Sequence, residues 1–159
     1  MEKVIIIRYA EIHLKGKNRG WFERVFVVNM EKSLKGLKHE IRRHSGRYLI
    51  ENFEEDDIQT ILERLKKVFG IHSYSVALKV YSDLDSIFSA AKQVCFAEGT
   101  FKVETHRADK TYPLNSMQIS AEIGGRLLGD NRKIKVDVHN PQFVINIDLR
   151  ENGTALVFN

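Results

Sequence analysis

The feature that most constrains this chain is a repeated change in the period of its apolar residues. Val4–Ile7 is a short, continuous, β-branched run, as in a strand buried on both faces. From Asn18 the period lengthens: Phe22, Val25, Phe26, Met30, Leu34 and Leu37 recur every three or four residues, which predicts an amphipathic helix with Asn18 as N-cap and Gly36 near its end. Residues 41–52 read as two strands around Ser45-Gly46, with Tyr48 and Ile50 on one face. A second helix opens at Asp56/Asp57, carries Ile58, Ile61, Leu62, Leu65, Val68 and Phe69, and stops at Gly70. Tyr74, Val76, Leu78 and Val80 then alternate as a strand. Residues 1–81 therefore read βαββαβ, the ferredoxin-like order.

Residues 82–159 restart in a different order and predict a second α/β domain. Ser82 or Asp83 caps a helix bearing Leu84, Ile87, Phe88, Ala91 and Val94, and Gly99 precedes a strand at Phe101, Val103 and Thr105. After the loop ADKTYPLNS comes a helix from about Ser116 to Leu128, ended by Gly129–Asn131. Three alternating runs close the chain, at Ile134/Val136/Val138, at Phe143/Ile145/Ile147/Leu149 and from Ala155 onward. The last two are joined at Glu151-Asn152-Gly153.

Charge is distributed unevenly. Residues 1–50 hold 12 Lys/Arg against 5 Asp/Glu, residues 51–98 hold 5 against 9, and residues 99–159 hold 8 against 7, within a net charge of +4. A basic front suits a polyanion such as RNA, because counterion release drives such binding without a large net charge. One cysteine, Cys95, excludes a disulfide framework, and its helical phase with Ile87, Phe88, Ala91 and Val94 places it in the core rather than at a catalytic centre. The longest early apolar run is far too short for a signal segment or a membrane span, so a cytoplasmic protein away from the membrane is expected.

Three motifs invite chemistry that their spacing does not support. In HEIRRH, His39 and His44 are five residues apart, which separates them by about 140° on a helix or puts them on opposite faces of a strand, so no zinc pair forms. GGRLLGDNRK lacks a Gly-Lys-Ser/Thr ending, and its glycines lie in or at the end of a helix, with Gly124 suited to close packing and Gly129 to a C-cap. Glu11, His13 and Lys15 share one strand face, but general acid–base work also needs a pocket and perturbed pKa values. No ATP-gripping loop is present, so no nucleotide site and no metal site are expected.

Two basic segments are more telling. Lys15, Lys17 and Arg19 surround a helix entry, where free N–H groups favour an anion. In FKVETHRADKTYPLNS, the bases Lys102, Arg107 and Lys110 approach a loop that also carries Tyr112, ahead of a helix start at Asn115/Ser116. Bases beside a stackable ring are how single-stranded or terminal RNA nucleotides are held.

RYAEIHLKGKNRGWFE, Arg8 to Glu23, resembles the opening signature of ThiI-type tRNA 4-thiouridine synthetases. FKVETHRADKTYPLNSMQISAEIGGRLL and KVDVHNPQFVINIDLREN resemble a THUMP domain. The resemblance covers nearly the whole chain. It implies an N-terminal ferredoxin-like domain at 1–81 and a THUMP RNA-binding domain at 82–159. Together they would form a noncatalytic module recognising the acceptor end of tRNA, in a family that thiolates a tRNA uridine and is linked to thiamine biosynthesis. The expected RNA contacts are Arg8, Lys15, Lys17, Asn18, Arg19, Lys102, Arg107, Lys110, Tyr112 and Arg126, some of which serve instead to join the domains. ATP and magnesium would be used by a PP-loop catalytic domain, in cis or as a separate chain, and a homodimer is compatible with this reading. The rivals are the RNA-binding front end of another THUMP enzyme, a methyltransferase or deaminase, and a protein-interaction module of a sulfur-transfer complex.

Overall fold

The structure, a computed structural model, describes residues 1–9, 18–44 and 46–159. Glu11, His13, Lys15, Lys17 and Ser45 lie outside the described residues. Two compact units divide the chain, Lys3–Val76 and Ala77–Asn159 with Met1–Glu2.

The first unit contains β1 (Glu2–Tyr9), α1 (Arg19–Ser33), β2 (Glu40–His44), β3 (Arg47–Glu51), a 3-10 turn at Glu55–Asp57, α2 (Ile58–Leu65) and the first part of β4 (Ile71–Tyr81). Its strands lie in the order β2-β3-β1-β4. With the βαββαβ connection this is a ferredoxin-like fold. The register Ile5↔Ile50 and Ile7↔Tyr48 points four apolar side chains to one face. There they meet Phe26 and Met30 of α1, Leu34 at its C-cap, and Ile61, Leu62 and Leu65 of α2, all buried. Val4 and Ile6, on the other face, are fully buried too, which explains why β1 reads as an unbroken apolar run. The end of α1 finds a donor on α2: Arg64 Nη1 donates to Ser33 O, the last carbonyl of the helix, at 3.4 Å and to Lys35 O just beyond it at 3.0 Å.

Two residues of this unit differ from expectation. Phe69 is largely exposed rather than part of the α2 core face, because the helix ends at Leu65 and the spacing from Leu65 to Phe69 is no longer helical. Asn18 occupies the N-cap position of α1 without a side-chain capping bond. Its backbone is turned (φ −91°, ψ 1°) rather than extended, and a capping side chain reaches the N2 or N3 amide from an extended residue.

The second unit contains the rest of β4, α3 (Leu84–Val94), β5 (Gly99–Arg107), α4 (Ser116–Asp130), β6 (Ile134–Val136), β7 (Phe143–Leu149) and β8 (Thr154–Phe158). The strand order is β4-β8-β7-β5-β6, with β5 parallel to both β6 and β7 and the β7–β8 pair antiparallel. Phe101, Ile145, Ile147 and Leu149 face Ile87, Ala90 and Ala91 of α3 and Ile119, Ile123 and Leu127 of α4. Only glycine suits the start of β5: Gly99 has φ +121°, and a Cβ there would stand 2.7 Å from Gln142 Oε1, which accepts from the Thr100 amide.

Three further readings change. Gly129 lies inside α4 rather than capping it, because Asn131 ends the helix: its side-chain amide donates to Ala97 O at 2.8 Å and its Oδ1 accepts from the Lys133 amide. Val138 lies beyond β6 and is exposed. Cys95 is only half-buried at the C-cap of α3, where burial, and secondarily Asp130, pushes its thiol pKa up, away from thiolate chemistry.

Asp83 caps α3 from an extended backbone, its carboxylate accepting from the Ser86 amide at 2.8 Å and from the Ser86 hydroxyl at 2.7 Å. These bonds hold its carboxyl below the usual carboxylate range. A depressed folded-state pKa means that the cap's stabilisation is present above the unfolded pKa and is lost as pH falls through the folded one. Asp83→Ala is expected to cost about 1 kcal/mol at neutral pH. The difference between urea melts of parent and variant should begin to shrink as pH falls through about 4, the unfolded value, and should vanish only below the depressed folded pKa, so a difference undiminished there would rule out an ionised cap.

Candidate nucleic-acid interface

The loop from Ala108 to Asn115 joins the end of a central strand to the start of a helix. Arg107 is the last residue of β5, paired in register with Leu149, and the Ala108 amide donates to Leu149 O at 2.9 Å. Residues 101, 103, 105 and 107 point to the helix-bearing face, so the Arg107 side chain rises beneath the loop rather than away from it. Its Nη1 donates to Tyr112 O and to Leu114 O, each at 3.2 Å. The guanidinium thus ties the backbone of the returning half of the loop.

Other contacts complete the brace. Asp109 Oδ1 accepts from the Thr111 amide and hydroxyl, which holds its carboxyl below the usual range and makes a tight turn around Lys110. Tyr112 packs its half-buried ring on the core and donates its hydroxyl to Ser82 O at 2.6 Å, and burial pushes the phenol pKa up, keeping it protonated. Leu114 packs on the same core. Asn115 then starts α4 with a full capping box, exchanging 2.8 Å hydrogen bonds with Gln118. The outcome is an ordered loop in which Lys110 is exposed, followed by Met117, which is 83% exposed on the first turn of α4. Met117 is apolar but out of phase with Ile119, Ile123 and Leu127, the sequence signal of its exposure.

The other expected contacts fall elsewhere. Lys102 sits on the opposite sheet face from Arg107, since five residues along a strand reverse the side, and it pairs with Glu104 Oε1. Arg126 links the two helices of its unit: it donates to Asp85 of α3 at 2.8 Å and Glu122 of α4 at 3.0 Å, over the Phe88 ring. In the first unit, Arg8 Nη1 donates to Ser75 Oγ at 2.9 Å, and Arg19, the first residue of α1, pairs with Glu23. Of the ten residues expected at an RNA surface, Arg107, Lys110 and Tyr112 are therefore brought into one loop. His39, from the motif that looked zinc-like, places Nε2 2.7 Å from Glu31 and Nδ1 2.7 Å from Leu37 O. Among the described residues no cluster of three or more His, Cys, Asp or Glu could hold a metal ion, and no helix is long and apolar enough to cross a membrane.

Residues 4–75 match the ThiI ferredoxin-like domain and residues 81–159 match the THUMP domain, so the chain belongs to the family of proteins that join these two domains. Its relatives within that family are tRNA sulfurtransferases. The probable tRNA sulfurtransferase of Thermoanaerobacter pseudethanolicus is 41% identical over 154 residues, which are 95% of this chain and 40% of the relative. That of Clostridium acetobutylicum is 38% identical over 154 residues, 95% of this chain and 39% of the relative. The chain thus spans about two fifths of the length of the curated relatives it matches. Among solved structures, a 4-thiouridine synthetase–RNA complex with bound ATP superposes with a TM-score of 0.81 and 33% identity, over 99% of this chain and 41% of that one. The structure of PH1313 from Pyrococcus horikoshii gives a TM-score of 0.77 at 29% identity, over 98% and 53%. TrmN from Thermus thermophilus, at 16% identity and a TM-score of 0.65, shares the fold alone.

Proposed function

We propose that this chain is the tRNA-binding, noncatalytic part of a tRNA 4-thiouridine synthetase, recognising the acceptor end of tRNA through its THUMP domain. The observation that carries the reading is the braced loop after β5, which leaves Lys110 exposed and leads into a capped helix start. A loop already ordered before binding loses little entropy when a polyanion docks, so its charge is used efficiently. The likeness to a solved 4-thiouridine synthetase–RNA complex supports the same reading. Uridine activation by ATP and magnesium, and the sulfur transfer that follows, belong in this proposal to a PP-loop domain supplied in cis or as a separate chain. The whole protein would act in the cytoplasm and share its sulfur chemistry with thiamine biosynthesis.

Binding of an unmodified tRNA transcript, followed by fluorescence anisotropy across a salt series, tests the proposal. Affinity is expected to fall by orders of magnitude between about 50 and 200 mM salt. Lys110→Ala should weaken binding several-fold and reduce the salt slope by about one unit, similarly for different tRNAs. An unchanged slope would remove Lys110 from the interface. Association with a sulfur-transfer protein that persists at high salt and ignores added tRNA would favour a protein-interaction module instead.

A further inference from the structure

The ferredoxin-like unit carries a charge arrangement that no local sequence pattern reveals. Glu23, one turn into α1 after Arg19, has a side chain only 14% exposed. Its Oε1 accepts from Arg19 Nε at 3.3 Å and from Arg43 Nη2, on β2, at 3.0 Å. One sunken carboxylate oxygen therefore holds two guanidiniums from different elements, while those groups remain 56% and 49% exposed. Arg43 reaches this place because it lies opposite Tyr48 in the β2–β3 register and so shares the helix-facing side of the sheet. Tyr48, its cross-strand neighbour, packs against Phe26 at 5.5 Å and Tyr9 at 5.6 Å on the same sheet face.

An ion pair that merely fastened α1 to β2 would need one cation for one carboxylate. Here two cations share one, which leaves a positive charge over, and the two guanidiniums, that of Arg19 also hydrogen-bonded to Tyr9, stay about half exposed. Two planar forks held side by side can grip the non-bridging oxygens of a phosphodiester, which a pair of free arginines would reach only after losing side-chain entropy and overcoming their mutual repulsion.

We propose that Arg19 and Arg43 form a two-arginine clip for an RNA backbone phosphate and that Glu23 is its positioning residue. The proposal rests on the tRNA-binding reading above and adds to it a second contact, in the ferredoxin-like unit, whose cations are selected by a carboxylate.

The sign of one substitution separates this from a general basic field. Glu23→Gln raises the net charge by one, which in a diffuse field would tighten RNA binding; the clip instead requires weaker binding, by about threefold or more, at an unchanged salt slope because the number of phosphate contacts is preserved. Arg43→Ala should weaken binding about fivefold and make the slope shallower by about one unit. Both are measured on the full chain with an unmodified tRNA transcript, alongside circular-dichroism melts. Glu23→Gln binding as tightly as the parent, or more tightly, overturns the positioning role, and an Arg43→Ala variant with unchanged affinity and slope overturns the clip. Should Glu23→Gln fail to fold, Glu23→Asp keeps the charge but shortens the reach; the clip expects weaker binding there too, and parent-like affinity overturns it. Failure of the parent chain to bind the transcript would instead overturn the tRNA reading, so the two failures are distinct.

Discussion

Arg107→Ala is expected to weaken tRNA binding about tenfold or more, a larger loss than Lys110→Ala, even though Lys110 is the more exposed cation. The reason lies in the two roles of one side chain. Arg107 brings positive charge to the THUMP loop and also donates to the carbonyls of Tyr112 and Leu114. Hydrogen bonds to a charged donor contribute about 1.5–3 kcal/mol each, and water recovers part of that when the side chain is removed. Amide hydrogen exchange should therefore speed up across the loop between Ala108 and Asn115 in Arg107→Ala and stay at parental rates in Lys110→Ala. Arg107→Lys, which keeps the charge but loses the fork, should retain the salt slope while losing part of the affinity. Parental exchange rates in Arg107→Ala would show that the loop holds its shape without the brace.

The largest stability effect is expected at Phe101. It is fully buried, between β6 and β7 in the strand order, and its ring stacks on Phe143 with centroids 5.7 Å apart and planes 16° from parallel. Phe101→Ala removes that ring from a close-packed interior and should cost about 3–5 kcal/mol, a large share of the roughly 5–15 kcal/mol that holds a typical domain folded. In urea denaturation followed by circular dichroism the midpoint should drop sharply with little change in slope. A loss below about 1 kcal/mol would mean that the core beneath the loop collapses around the gap. Because Phe101 lies on the strand that ends at Arg107, RNA binding should fall with it only where the unit itself unfolds.

The core was readable in advance wherever burial follows a local period. Ile119, Ile123 and Leu127 were marked by their three- and four-residue spacing, and Phe101, Ile145 and Ile147 by alternation; all six are buried in one cluster. Reading failed where an element ended early or was tied off by a distant side chain. Phe69 continued the α2 pattern on paper but follows a helix that stops at Leu65, and Gly129 looked like a cap because the bond from Asn131 to Ala97 links residues 34 apart. In the candidate site, Arg107, Lys110 and Tyr112 are close in sequence and lie at one loop, whereas strand parity puts Lys102 on the opposite sheet face from Arg107 and the pairing of Arg126 with Asp85 joins two helices.

From the amino-acid order alone came the succession of elements and the loop with the strongest basic-aromatic signal, because periodicity and turn chemistry are written in neighbouring residues, while the THUMP identity came from resemblance to a known family. Only the tertiary structure decided which cations are engaged and by what. Lys110 stands exposed, Arg107 turns inward to brace the backbone, and Arg43 joins Arg19 across 24 positions of chain through the half-sunken carboxylate of Glu23. Charges act through space over a few ångströms with no regard for sequence distance, so the partner of an arginine is settled by the register of a strand against a helix.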